Sequence, residues 1–117
     1  MGEEDRDTLA SANNYADSLV SLNRFEEAKA LLRKVIPLAR RALGTSHEIT
    51  LRMRENYARA LHKDNGATLD NLREAVTTLE DTERTARRVF GGTHPIVVEI
   101  ERGLRAARAS PAANRLI

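Results

Sequence analysis

The sequence has no cysteine and very few aromatic residues, with two Phe, two Tyr and no Trp among 117 residues. The lack of cysteine excludes disulfide bonds, thiolate metal ligands and cysteine nucleophiles. Three Pro and six Gly are also few, and Ala, Leu, Arg and Glu are abundant, so the composition favours helices over strands. No apolar run approaches the roughly 18 residues that a membrane-spanning helix needs. The composition predicts a single all-α domain of a soluble, cytoplasmic protein with no membrane partner.

Charge of one sign is not in large excess either. The chain carries 19 basic and 17 acidic residues, a formal net charge of +2, and the two signs are interleaved along the sequence. Nucleic-acid-binding proteins usually concentrate their basic residues in one stripe or run. The even distribution therefore argues against a nucleic-acid partner.

The chain repeats one unit about two and a half times. Asn14-Tyr15-Ala16 recurs 42 residues later as Asn56-Tyr57-Ala58. The segments 25–32 and 40–47 recur 47 residues later, because about five extra residues are inserted after Leu61. A third copy begins at His94-Pro95. The predicted domain covers 7–109, with repeats at 7–46 and 47–93, a closing half-repeat at 94–109, and tails at 1–6 and 110–117.

Within each unit, apolar residues recur at the three- and four-residue spacing of an amphipathic helix. Asn23 and Glu26 have the spacing of a capping box at the start of a second helix. Gly44 and Gly91 are typical of residues that follow a helix end. The pattern predicts five helices, at 6–21, 24–43, 48–63, 68–90 and 95–109.

The helix-pair units resemble the tetratricopeptide repeat, through Asn-Tyr-Ala in the first helix and Phe25-Glu26-Glu27-Ala28 in the second. The connectors 43–47 and 90–95, Leu-Gly-Thr-Ser-His and Phe-Gly-Gly-Thr-His-Pro, resemble the Leu-Gly-x-x-His-Pro joint of kinesin-light-chain-like repeats, which are also about 42 residues long. The resemblance implies a right-handed α-α superhelix of helical hairpins, two full repeats plus a closing helix. It also implies a non-catalytic protein–protein interaction module. It does not imply a motor subunit, because this subtype occurs widely elsewhere.

No combination of residues predicts an enzyme, a metal site or a cofactor. His47 and His94 occupy the same joint in successive units and are interpreted as bracing the next helix, and His62 is interpreted as a solvated residue near a helix end. The H-x-x-x-H spacing of helical metal ligands is absent. Acidic pairs such as Glu26 and Glu27 are sequence neighbours, which point in different directions on a helix. Phosphate-binding loops and nucleophile motifs are also absent.

The first helix of each unit carries the candidate binding residues. In tetratricopeptide arrays these helices line the concave surface on which peptides dock. The resemblance places thirteen positions in this groove, and six of them are the candidate binding residues: Asn14, Arg52, Asn56, Arg59, Lys63 and Arg102. Asp17 and Glu55, in the same groove, are expected to repel acidic groups locally and to set the register of a ligand. Amides can donate to and accept from a peptide bond, and guanidinium groups can fork onto carboxylates, so the predicted ligand is a partner protein or an acidic peptide. The alternative is that the two asparagines satisfy neighbouring helices and the arginines are ordinary surface residues.

A second class of function stays open, that of a structural segment that assembles with copies of itself. Repeat stacks need about three repeats for independent stability, and this chain has fewer. Ile96, Val97, Ile100 and Leu104 in the closing helix exceed what one contact face requires. The chain is therefore predicted to be either part of a longer repeat array or a weak homodimer that forms through an open end of the stack.

Overall fold

A computed structural model describes residues 3–110, which form five α-helices and no strand. The helices are α1 Glu3–Ser21, α2 Phe25–Leu43, α3 Glu48–Lys63, α4 Leu69–Phe90 and α5 Pro95–Arg108. The predicted bounds agree to within three residues. The largest difference is at the start of α1, which begins at Glu3, three residues before the predicted start. The division of the chain into a domain and two tails stays a prediction. The predicted tail at 110–117 lies outside the described residues, apart from Ser110.

The five helices form two layers. In one layer α3 lies between α1 and α5 and contacts both. The helices α2 and α4 form the other layer, α2 against α1 and α3, and α4 against α3 and α5. This is the arrangement of stacked helical hairpins, and it confirms the all-α repeat architecture. The right-handed twist of the stack stays a prediction.

The central helix α3 takes part in three apolar clusters. Two of them hold α1, α2 and α3 together, and Met53 and Ala60 are their fully buried residues from α3. The third holds α3, α4 and α5 together, with Leu51, Ala58 and Leu61 from α3. Each fully buried Leu or Met side chain stabilises the fold by roughly 1.5–3 kcal/mol. Because all three clusters use α3, the two hairpins cannot separate without exposing apolar surface.

The two long helices end in the same way. Gly44 and Gly91 have positive φ values of 100° and 84°, and their N–H groups donate to the carbonyl oxygens of Arg40 and Arg87. Three residues further on, the Nδ1 atoms of His47 and His94 accept hydrogen bonds of 3.1 and 3.2 Å from backbone N–H groups at the start of α3 and α5. The predicted bracing role of the two joint histidines is confirmed.

The predicted cap of α2 by Asn23 is wrong. Asn23 has a φ of 61°, and α2 follows Arg24, whose side chain makes no capping bond. The N–H of Asn23 donates to Val20 O and that of Arg24 donates to Leu19 O, at 3.0 and 2.8 Å. This is the pattern of a Schellman motif, in which a left-handed residue closes the preceding helix. Asn23 therefore ends α1 and does not begin α2.

The apolar residues of α5 are already covered by other helices of this chain. Ile96, Val97, Ile100 and Leu104 are all buried within this chain. They are covered from two sides, since α5 packs against α3 as well as α4. The expectation of an uncovered apolar face on α5 is therefore wrong, and with it the main support for a homodimer.

Polar side chains also link the layers. The hydroxyl of Tyr57 on α3 accepts a 3.3 Å hydrogen bond from Arg33 on α2 and donates a 3.1 Å bond to Glu74 on α4. Tyr15 on α1 is the equivalent residue one repeat earlier, and it is 56% exposed. The same residue type is thus a bridge in the second repeat and a surface residue in the first.

Candidate functional site

A polar groove of about 620 Å³ lies along α1, α3 and α5. Its walls comprise Asn13, Asn14, Asp17, Arg52, Glu55, Asn56, Arg59, His62, Lys63, Glu99, Arg102, Gly103 and Ala106. All six residues predicted from the sequence line it. They come together because equivalent positions of stacked repeats lie side by side along the layer.

The two predicted asparagines have different roles in the groove. Asn14 is exposed at its surface. Asn56 is buried: its Nδ2 donates a 2.9 Å hydrogen bond to Oδ1 of Asn13, and its Oδ1 accepts a 3.1 Å bond from Arg59. Asn56 therefore ties α3 to α1, as the alternative interpretation of the sequence had it, whereas the side chain of Asn14 faces the open groove.

Two of the predicted arginines are paired with acidic residues of the same groove. Arg59 on α3 binds Asp17 on α1 at 2.9 Å. Arg52 on α3 binds Glu99 on α5 at 2.9 Å and Glu48 in its own helix at 3.1 Å. The side chains of Arg52 and Arg59 are only 30% and 25% exposed. These two arginines bridge the three helices of the layer, and their charges are largely neutralised within the groove.

Lys63 and Arg102 are the groove cations that keep their charge available. Both side chains are exposed. Neither forms an ion pair with another side chain of residues 6–110, in contrast to Arg52 and Arg59. An anion that enters the groove can therefore bind these two groups without displacing an existing partner.

Glu55 and His62 are titratable groups on the groove side of α3 whose environment the sequence did not reveal. Burial raises the pKa of the Glu55 carboxyl to about 7, the charge of Glu99 adds to the rise, and Arg59 and Arg52 oppose it. Burial lowers the pKa of His62 to about 4, and the positive charges of Lys63 and Arg59 lower it further. The expectation that His62 is solvated is wrong, because its Nε2 is buried without a hydrogen-bond partner among the described residues.

A sequence signal for the burial of Glu55 existed. Leu51, Glu55 and Ala58 follow the four- and three-residue spacing of the apolar stripe on α3, so Glu55 lies on the same side of the helix as two fully buried residues. A charged residue on an apolar stripe is rarely buried unless it is paired. The position of Glu55 on this stripe therefore indicates its burial, which the repeat spacing alone does not.

The described residues form neither a cluster of metal ligands nor a membrane-spanning helix. Over the range 6–110, whose side chains the structure describes, there is no group of three or more His, Asp or Glu residues positioned to hold a metal ion. No helix in the same range is long and apolar enough to cross a membrane. The groove is thus a surface of amides, guanidinium groups and carboxylates.

Stacked helical hairpins with a polar groove along the first helix of each hairpin define a helical-repeat protein. A family model described as tetratricopeptide repeat matches residues 7–66, just over half of the chain. The chain belongs to the tetratricopeptide repeat family. The match covers α1, α2 and α3, and the internal repeat extends the same pattern to α4 and α5. No curated protein and no solved structure matches the chain.

Proposed function

We propose that this protein is a non-catalytic interaction module that binds a peptide or a segment of a partner protein in the groove formed by α1, α3 and α5. Tetratricopeptide repeats generally mediate protein–protein interactions, and the family is typically a non-enzymatic scaffold. The observation that carries the proposal for this chain is the coexistence of Lys63, Arg102 and Asn14 in one groove about 620 Å³ in volume, all three exposed and without a side-chain partner among residues 6–110.

The chemistry of these groups favours a ligand with acidic side chains. Lys63 and Arg102 offer charge-assisted hydrogen bonds to carboxylates, and Asn14 offers an amide to the ligand backbone. Arg52 and Arg59 also belong to the proposed site, but as residues that hold its walls, because both already bind carboxylates. The kinesin-light-chain-like subtype, indicated by the two glycine–histidine joints, and the cytoplasmic location are part of the same proposal.

The test is peptide selection followed by a charge reversal with a matched control. Peptides that bind the full chain are recovered from a random-peptide display library, resynthesised, and titrated against wild type, Arg102→Glu and Arg105→Glu. Arg105 is also exposed on α5 but does not line the groove. We expect affinity to fall at least about tenfold for Arg102→Glu, since a charged hydrogen bond is replaced by repulsion, and to stay unchanged for Arg105→Glu.

The same experiment can overturn the proposal. Recovery of no peptide, or equal affinities for wild type and a folded Arg102→Glu chain, would remove the groove as the binding surface. The alternative change of Asn56 or Arg59 is less informative, because both residues join α3 to α1 and their loss would disturb the stack itself.

A further inference from the structure

Glu55 lies at the floor of the groove on the central helix α3 and is the exception among the buried charged residues. Its side chain lines the groove although the residue is only 8% exposed. The other two buried charged residues in the described range are paired: Lys29 with Glu26 and Arg54 with Asp81, each at 2.7 Å. No described residue forms a hydrogen bond or ion pair with the Glu55 carboxylate. The residue is largely withdrawn from water while its side chain still faces the groove, so a ligand group that donates a charge-assisted hydrogen bond to the carboxylate would stabilise it.

The neighbouring charges do not supply that group. Arg59 directs its donor to Asp17 and Asn56, and Arg52 directs its donors to Glu48 and Glu99. Both arginines act on Glu55 through space only.

Carboxylates also flank Glu55 on both sides. Asp17 on α1 and Glu99 on α5 each raise its pKa, and the effects of burial and these acids outweigh those of Arg52 and Arg59. Of the other groups that line the groove, Arg102 lies on α5, and His62 and Lys63 lie on α3. The floor of the groove is therefore the place where negative charge is least compensated, whereas its rim carries unpaired positive charge.

We propose that Glu55 receives a cationic side chain, a lysine or arginine, of the peptide that binds in this groove. The inference rests on the proposed function and adds to it. A ligand that presents only acidic residues would satisfy Lys63 and Arg102 but would leave Glu55 buried and unpaired. A ligand with one basic residue at the floor and acidic residues towards the rim matches both the carboxylate of Glu55 and the cations Lys63 and Arg102. An arginine or lysine there gives the carboxylate the charge-assisted hydrogen bond that its own chain does not provide.

The pattern along the repeats agrees with this assignment. Asn13, Glu55 and Arg102 are equivalent residues of the three repeats, at offsets of 42 and 47. They are neutral, acidic and basic in turn, so equivalent positions of successive repeats carry different charges along the groove. This asymmetry fixes the direction in which a peptide of mixed charge lies, since reversal would place its basic residue against Arg102.

Peptide selection tests the inference directly. A random-peptide display library is sorted in parallel on the wild-type chain, Glu55→Gln and Glu101→Gln, with folding of each variant checked by a thermal melt. Peptides selected on wild type should carry Lys or Arg at one fixed position. That enrichment should disappear on Glu55→Gln while the acidic positions persist. Glu101→Gln is the matched control, since Glu101 is paired with Arg87 outside the groove, and it should retain the basic position.

Affinity as a function of pH provides a second readout. A cationic ligand binds the ionised form of Glu55, so binding releases a proton and affinity should rise about tenfold or more between pH values near 5.5 and 8. A recovered peptide without histidine is titrated over this range against wild type and Glu55→Gln. The rise should be absent from Glu55→Gln and present in Glu101→Gln.

The outcomes separate this inference from the proposed function. If peptides bind and Arg102→Glu weakens them, but wild type and Glu55→Gln select the same residues with the same pH dependence, the groove stands and the role of Glu55 is refuted. If no peptide binds the wild-type chain, both proposals fail. Loss of the basic position and of the pH dependence in Glu55→Gln alone is the result that the structure predicts.

Discussion

Replacement of Thr50 by valine is expected to stabilise the protein. Thr50 lies in the first turn of α3 and is fully buried. Its Oγ1 atom has no hydrogen-bond partner among the described residues. A buried hydroxyl that has lost water without gaining a partner destabilises the folded state by about 1–3 kcal/mol. Valine has nearly the same shape and carries a methyl group in place of that hydroxyl.

The magnitude follows from the groups exchanged. Thr and Val have similar helix propensities, so the backbone contributes little to the difference. Removal of the desolvation penalty should raise the free energy of unfolding by about 1–2 kcal/mol, or the midpoint of thermal unfolding by several degrees. The third repeat supports the exchange, because its equivalent residue is Val97, which is also fully buried.

Thr82 provides the matched control. It is as buried as Thr50, but its Oγ1 donates to the carbonyl oxygen of Thr78. The change Thr82→Val therefore removes a hydrogen bond and should lower stability by about 0.5–1.5 kcal/mol. Denaturant unfolding followed by circular dichroism measures both variants. A Thr50→Val chain no more stable than wild type would show that the Thr50 hydroxyl has a partner in solution, and would refute the reasoning.

Three further predictions concern α2, the interlayer bridge and the groove floor. Pro37→Ala, at an exposed position inside α2, should stabilise the chain by about 1–2 kcal/mol in denaturant unfolding, because it restores a helical hydrogen bond at some cost in unfolded-state entropy; an unchanged midpoint would contradict this. Tyr57→Phe should destabilise by about 0.5–1.5 kcal/mol, since its hydroxyl links α2 to α4, whereas Tyr15→Phe should have no effect. Folding raises the pKa of Glu55 from 4.5 to about 7, so the contribution of Glu55 to stability declines as pH rises from 4.5 to 7. Folding lowers the pKa of His62 from 6.5 to about 4, so the contribution of His62 to stability is lost as pH falls from 6.5 to 4. The two effects oppose each other in the wild type. Unfolding measured across this range should therefore show a loss of stability at the acidic end for Glu55→Gln and at the neutral end for His62→Gln, and parallel curves for all three chains would contradict it.

The helices were predictable from the sequence because their signals are local. Apolar spacing, two glycines and two histidines at equal offsets place the helix boundaries to within a few residues. The role of Asn23 was not predictable in this way. Asparagine both caps helix starts and tolerates the left-handed conformation that ends a helix. Which of the two it does depends on the short path between α1 and α2, a property of their packing.

The residues that line the groove were predictable from the sequence. The ion pairs and hydrogen bonds among them were only partly predictable. Stacked repeats bring equivalent residues together, so all six predicted side chains line one surface. The two bridging ion pairs carry a further signal that could have been read, because Asp17 and Arg59 are separated by 42 residues and Arg52 and Glu99 by 47. Opposite charges at the repeat offset indicate a bond along the layer. The burial of Glu55 had a signal in its place on the apolar stripe of α3, but its lack of a partner did not, since that depends on how the side chains of three helices converge.

Repeat symmetry and recognition place different demands on the same groove. Some groove residues are structural: Asn56 ties α3 to α1, and Arg59 binds Asp17, which lies one repeat before it. Glu55 and Arg102 also share one structural position and carry opposite charges, but neither is paired with another residue of the range 6–110. Equivalence of position therefore identifies the residues that line the groove, and the pairing within it separates wall from contact. The unpaired groups are what distinguish one ligand from another, because only they gain a new bond when a ligand enters.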